Sequence, residues 1–245
     1  MLQQTIVTRS LVALSVLALT GSCWSSVVVN YTVNALDAGL SLEGLSAQAE
    51  FSISGTELTV ILSNTSTGTP LGAEVSDSLL TSLAFDLDAA QIVNGSSALI
   101  ASGSQGLGAW SGLGPGANVG DQWLWTNDNG GDYLETFTQV ISTSNGQGGG
   151  TTQSFDGVLN PNVGGPFGGI AADPIAIGVP KSQRAVSDAI VFTLTLSDSL
   201  SEATLADIAA SSVVEFGSDY RYIAVPAPAS AFALLAIFGV RRRRR

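Results

Sequence analysis

The chain has no histidine among its 245 residues and a single cysteine, Cys23. The first absence removes the Ser-His-Asp relay, histidine general bases and imidazole metal sites together. Basic residues are scarce: nine stand against twenty acidic ones, and six of the nine, Arg9 and then Arg241, Arg242, Arg243, Arg244 and Arg245, sit at the two ends. No apolar run reaches the roughly 20 residues that a membrane-crossing helix needs.

What is present is most telling at the C-terminus. Val225-Pro226-Ala227-Pro228-Ala229-Ser230 leads into an apolar run that ends near Val240 and is followed by the basic stop Arg241-Arg242-Arg243-Arg244-Arg245. An apolar segment with arginines behind it keeps the cations on the cytoplasmic side of a bilayer, which leaves everything upstream outside. The run is short for a span, so it crosses only with bilayer thinning or snorkelling by Arg241 and its neighbours. Such an anchor suits a temporary stop. A permanent tail anchor, or a basic arm on a buried helix, gives the same pattern.

The order Pro-x-Pro, apolar helix and terminal arginine cluster resembles the PEP-CTERM sorting signal of Gram-negative bacteria. Ala227 stands where that family usually carries Glu. No Leu-Pro-x-Thr-Gly motif precedes the helix and no Gly-Gly pair opens it, as other surface-sorting tails would require. The resemblance implies recognition by an exosortase-like membrane protease-transpeptidase, transient residence in the inner membrane, and final placement at the cell surface or outside the cell.

The N-terminus agrees with export. Arg9 precedes the apolar core Leu11 to Leu19 and the small residues Thr20-Gly21-Ser22, which is the layout of a secretory signal peptide. Cleavage is expected between Ser22 and Ser26. Cys23 either leaves with the leader or, in a lipoprotein-type signal, carries the lipid, although Thr20 stands where such signals usually have an aliphatic residue. Its removal leaves a mature protein without disulfide, cysteine nucleophile or thiolate-bound metal. Three parts follow: a signal peptide (1–26), an exported β-rich domain (27–224) and a C-terminal sorting signal (225–245).

Between the two ends only Lys181, Arg184 and Arg221 are basic, against all twenty acidic residues, so this part carries a formal net charge of −17 where the whole chain has −11. That surface repels nucleic acid and anionic lipid, and favours divalent cations or cationic partners.

The domain reads as β. In Ser46 to Ser54 the apolar residues Ala47, Ala49, Phe51 and Ile53 alternate with polar ones, and beyond the turn Ser54-Gly55-Thr56 the residues Leu58, Val60 and Leu62 do the same, which predicts a hairpin. A third run sets Leu83, Phe85 and Leu87 inward and Asp86 and Asp88 outward. A fourth sets Ile190, Phe192, Leu194 and Leu196 inward. Ser199 and Glu202 have the spacing of a capping box before a short helix over Ala203 to Ala210. Ser211 to Gly217 reads as a closing strand with Glu215 between the inward Val214 and Phe216. Short strands, Gly-rich loops and little helix predict a single antiparallel β-sandwich or jelly-roll-like domain.

The stretches Phe51 to Ser66, Asp77 to Asp86, Asp188 to Leu194 and Phe216 to Ser218, with the Gly- and Trp-containing middle, resemble a group of PEP-CTERM proteins of unassigned activity. That likeness implies an exported β-rich product and carries over no catalytic residue.

Asp86 and Asp88, two apart on a predicted strand, are the candidate acid-base pair; an exposed polar face is the plainer account. Asn127-Asp128-Asn129-Gly130-Gly131-Asp132 with Glu135 offers oxygen ligands around a turn, so Asp128 and Asp132 are the candidates for Ca²⁺, without EF-hand spacing; a solvated turn is the plainer account. Gly146 to Gly150 lacks the lysine and the strand-to-helix junction of a phosphate cradle. Trp110, Trp123 and Trp125 are candidate glycan contacts, because flat rings stack on sugars and residues two apart on a strand share a face; core packing is the ordinary reading of such large aromatics. The expected function is an exported structural or adhesive protein of the envelope or extracellular matrix, non-catalytic and without a cofactor. The alternative is a secreted carbohydrate-binding module, calcium-assisted or not, for extracellular polysaccharide.

Overall fold

A computed structural model of the chain describes residues 25–33, 42–87, 90–127, 137–143, 153–155, 168–217 and 221–225. Of the leader expected over residues 1–26, residues 1–24 lie outside the described residues. So does the expected sorting signal beyond Val225: the motif Pro226, Ala227 and Pro228, the apolar run, and the basic stop Arg241, Arg242, Arg243, Arg244 and Arg245.

Alternation of apolar and polar residues builds the first sheet. Ser25–Thr32 (β1), Ser46–Ser54 (β2) and Glu57–Asn64 (β3) form an antiparallel meander that buries its apolar inner positions and leaves the outer ones wet. Gly55 takes φ +62 in the two-residue turn between β2 and β3, the positive value that a tight hairpin needs at its first central position. β1 begins inside the boundary expected for the leader, since Ser25 and Ser26 already pair with Ile53 and Ser52.

The chain then leaves through a single 3-10 turn, Val75–Ser78, into Leu80–Phe85 (β4), and returns to the first sheet as Ile92–Ile100 (β5). Short strands follow at Gly106–Gly108 (β6), Leu124–Thr126 (β7), Gln139–Ser142 (β8), Gln153–Ser154 (β9) and Gly168–Ala171 (β10). A one-turn helix, Asp173–Ala176 (α1), precedes Arg184–Ser187 (β11), and Ala189–Leu196 (β12) comes next. Glu202–Ser211 (α2), Val213–Phe216 (β13) and Arg221–Ala224 (β14) complete the described chain.

These strands make a two-sheet β-sandwich. The first sheet has the order β1-β2-β3-β12-β5, with every pairing antiparallel. The second runs β6-β11-β10-β4-β8-β7-β9, with β13 beside β4 and β14 beside β13. One pairing departs from the antiparallel expectation: β10 and β11 are parallel, joined through α1 over residues 172–183, about the length that a parallel crossover needs. The core lies between the sheets, where Phe51 of β2 meets Phe85 of β4 edge to face at 5.7 Å.

The hairpin and β12 match the sequence pattern in register and facing. β4 does not, because all six of its residues are buried on both faces, Ser82 and Ala84 included. The strand stops at Phe85, so Asp86 lies beyond it, and Asp88 is outside the described residues. α2 forms where a helix was expected, but its cap is Ser201 rather than Ser199. Ser201 Oγ accepts from the Thr204 amide at 3.2 Å, while the Ser199 amide is held instead by Asp198.

Two polar contacts tie the layers. The Asn64 side chain, buried at the end of β3, donates to the carbonyls of Ser78 (2.9 Å) and Ile170 (2.7 Å) and accepts from the Ser66 amide (3.0 Å). At the same corner Asp188, with φ +60, carries the chain from β11 in one sheet to β12 in the other; its amide donates to Ala171 and its carbonyl accepts from the Asn64 amide. On the far side Tyr31 of β1 meets Ser212 at 2.6 Å. Ser212 spends its only hydroxyl proton on the Ala209 carbonyl, so Tyr31 is the donor.

Asn64→Ala strips two buried carbonyls and an amide of their partners at once. It is expected to cost at least about 2 kcal/mol of stability, read from urea unfolding. Burial pushes the Tyr31 phenol above its ordinary range, against a smaller lowering by the Ser212 bond. A raised folded value means that its contribution is fully present below the usual phenol range near pH 10 and is lost as the pH rises through the folded value. Tyr31→Phe should cost about 1 kcal/mol at neutral pH and flatten the alkaline loss, as read by chemical denaturation from about pH 8 upward.

Candidate functional site

The tryptophans are the residues that sequence singled out for ligand contact. Trp123 and Trp125 are 0 % and 1 % exposed. Only Trp125 lies on β7, and both rings enter the core between the sheets. Trp123 packs edge to face on Phe192 of β12 at 4.9 Å, and Phe155 closes on the Phe192 ring at 5.3 Å. Neither indole presents a face to solvent, which takes both away from glycan contact.

The opposing sheet makes room for Trp125 at Gly95. A Cβ at that position of β5 would fall 2.5 Å from Trp125 Cδ1 and Nε1, and 2.8 Å from Phe155. Two register shifts of β5 against β12 fall next to the glycine and beyond it, so the inward residues of β5 are Ile92, Gly95, Ala98 and Ile100 rather than every second one. These irregularities re-aim side chains along the strand and set the one residue without a side chain against the indole. The indole N–H groups of Trp123 and Trp125 meet no acceptor among the described residues, so both rings are held by packing.

Trp110 differs. It is partly buried, packs against the edge of the core, and sits in a loop closed by Gly106 N to Leu113 O at 2.8 Å and Leu113 N to Trp110 O at 2.9 Å. Of the three candidate rings it alone keeps an accessible portion.

Asp86 works on the backbone. Its Oδ1 accepts from the Thr138 amide at 2.9 Å, and Thr138 Oγ1 in turn accepts from the Leu87 amide at 2.9 Å, which pins the exit of β4 to the entry of β8. The calcium candidates Asp128 and Asp132, with Gly146 to Gly150, lie outside the described residues. Among the described residues no group of three or more Asp, Glu or Cys side chains is arranged to hold a metal ion. No described helix is long and apolar enough to cross a membrane, and the C-terminal run is outside that set.

One cluster was not visible in the sequence. Glu215 of β13, expected on an outer face, is 2 % exposed; its Oε2 accepts from Ser82 Oγ at 2.9 Å, and Ser82 Oγ meets Ser142 Oγ at 2.9 Å. With the Ser82 proton given to the carboxylate, Ser142 donates to Ser82, and the chain of bonds crosses three adjacent strands, β13, β4 and β8. The serines are 0 % and 3 % exposed, so a substrate reaches neither hydroxyl while the sheet is closed. The arrangement fixes register. No sequence pattern separates such a Glu from an exposed one, since its burial comes from a second covered sheet face.

Comparison with protein-family models, with curated proteins and with solved structures gives no match. The functional reading therefore rests on the chain's own residues.

Trp125→Ala is expected to lower stability by about 3–5 kcal/mol, as for other buried aromatics. Gly95→Ala should cost about 1–3 kcal/mol by overpacking against that ring. Thermal unfolding of both variants checks the pair. A Trp125→Ala protein that unfolds at the wild-type temperature would remove the indole from the core.

Proposed function

We propose that the chain is an exported protein delivered to the cell envelope or extracellular matrix through its C-terminal signal, with a structural or adhesive role and no catalytic one. The observation that carries this reading is the three-part tail: Pro226-Ala227-Pro228, the apolar run, and Arg241-Arg242-Arg243-Arg244-Arg245. An exosortase-like enzyme would cut near the prolines while the apolar run and the arginines hold the chain in the inner membrane. The leader of residues 1–26 supports the same route. A mature domain without histidine, and without thiol once Cys23 is removed, suits a scaffold better than a site built on nucleophiles or imidazole.

The carbohydrate-binding alternative loses most of its surface with Trp123 and Trp125 in the core, and among the described aromatic candidates it rests on Trp110. Calcium assistance would have to come from Asp128 and Asp132.

Intact-mass measurement of the protein recovered from the envelope tests the proposal, with the wild type compared against a chain lacking Arg241 to Arg245. Processing predicts a wild-type mass that ends near Pro226 and an unprocessed, truncated variant. A wild-type chain that keeps its full C-terminus in the membrane would overturn sorting and favour a plain anchor.

A further inference from the structure

The first sheet has two edges, and they are finished differently. Along β5 the outer edge is in use: the Val119 amide donates to Ala98, the Ile100 amide to Ala117, and the Gly116 amide to Ile100, while Asn127 Nδ2 reaches the Ile92 carbonyl. The two irregularities of β5 against β12 add to that block. Along β1, among the described residues, no such hydrogen bond and no register break is present. Its eight residues, Ser-Ser-Val-Val-Val-Asn-Tyr-Thr, carry no charge and no proline, and their pairing with β2 runs without a register break from Ser25 to Thr32. Among the described residues nothing hydrogen-bonds to the outer backbone edge of β1. Val28, at mid-strand on the outer face, is 50 % exposed.

A long, regular, uncharged edge strand is a template for another strand. We propose that β1 is a homotypic pairing edge, through which two copies of the protein join antiparallel into one sheet with five strands from each copy. A second copy supplies what the edge asks for: the same neutral, largely β-branched or hydroxylated residues, of which Val27 to Thr32 stay after removal of a leader of residues 1–26, related by a two-fold axis that brings Val28 of each copy toward the other. The blocked β5 edge makes the association close at two, because a filament would need β5 to accept β1 of the next copy.

Charge opposes the pairing without forbidding it. Among the described strand residues, the acidic side chain beside the edge on the outer face is Glu50, opposite Val28 on β2, one strand spacing of about 4.8 Å behind the edge. Repulsion between two strongly acidic copies is screened over about 10 Å at moderate salt. The dimer therefore tightens as ionic strength rises, the reverse of an association held by opposite charges.

Sedimentation velocity of the protein as recovered from the envelope, from low salt to about 0.5 M, reads this directly, together with hydrogen exchange of the β1 amides at low and high protein concentration. A dimer is expected whose population grows with salt and whose β1 amides slow as it forms. Val28→Lys should weaken it by about tenfold or more, even though the substitution lowers the net negative charge and would strengthen any non-specific contact. Val93→Lys on β5, an equally exposed position, should leave it unchanged. Asn30→Lys, also exposed on β1, repeats the test if Val28→Lys fails to fold. A monomer at every concentration and salt overturns the proposal, and β1 amides already slow in that monomer would assign the edge to a segment of the same chain. Equal weakening by Val28→Lys and Val93→Lys overturns it too.

Discussion

One carboxamide holds the corner on which the two sheets are registered. Asn64 ends β3 in one sheet and gives both of its side-chain hydrogens to carbonyls that lead into or belong to the other. The chain crosses between layers beside it at Asp188, whose carbonyl takes the Asn64 amide. A buried amide with its donors and acceptor satisfied is rigid because each bond it gives up strands a polar group away from water. The aromatic contacts of the interior, Phe51 with Phe85 and Trp123 with Phe192, join the same two layers. They depend on a spacing that this corner helps to set.

How much of this could be read from residues alone varied with burial. Strands with one wet face announce themselves, and β2, β3 and β12 do so because their outer positions are polar and their inner ones are not. β4 and β13 are covered on both faces, which erases alternation; Ser82 of β4, Ser142 of β8 and Glu215 look like surface residues until they are found joined in one chain of hydrogen bonds. β5 hides for a different reason: its irregularities break the period of two, and its inward set includes a glycine. At the candidate site the spacing of Trp123 and Trp125 was legible, but not their direction. For Trp125 that direction goes with a gap at Gly95, on a different strand of the opposite sheet.

Without histidine and with one cysteine near its start, the chain leaves its domain to be fixed by shape. Rings fill the centre, a glycine admits the largest of them, and chains of hydroxyl, amide and carboxyl bonds set strand register where secreted domains often use disulfides. Acidic side chains serve this end too: Asp86 and Asp77 hold backbone amides at the ends of their segments, and Asp77 also meets Arg221 at 3.4 Å. The acidity of the domain is thus partly structural and not only a property of its surface.

The place of β12 in the first sheet has a consequence for the order in which the molecule can form. β12 lies between β3 and β5, and it ends at Leu196, so the sheet lacks that joining strand until most of the chain is free to fold. A chain that emerges from its N-terminus onward makes the meander of β1, β2 and β3 early from local contacts, but cannot join β5 to it. Such distant pairings slow folding and postpone cooperativity to the end. A domain threaded through a narrow channel would stay pliable until nearly all of it had passed, and would lock only when its closing segments arrived.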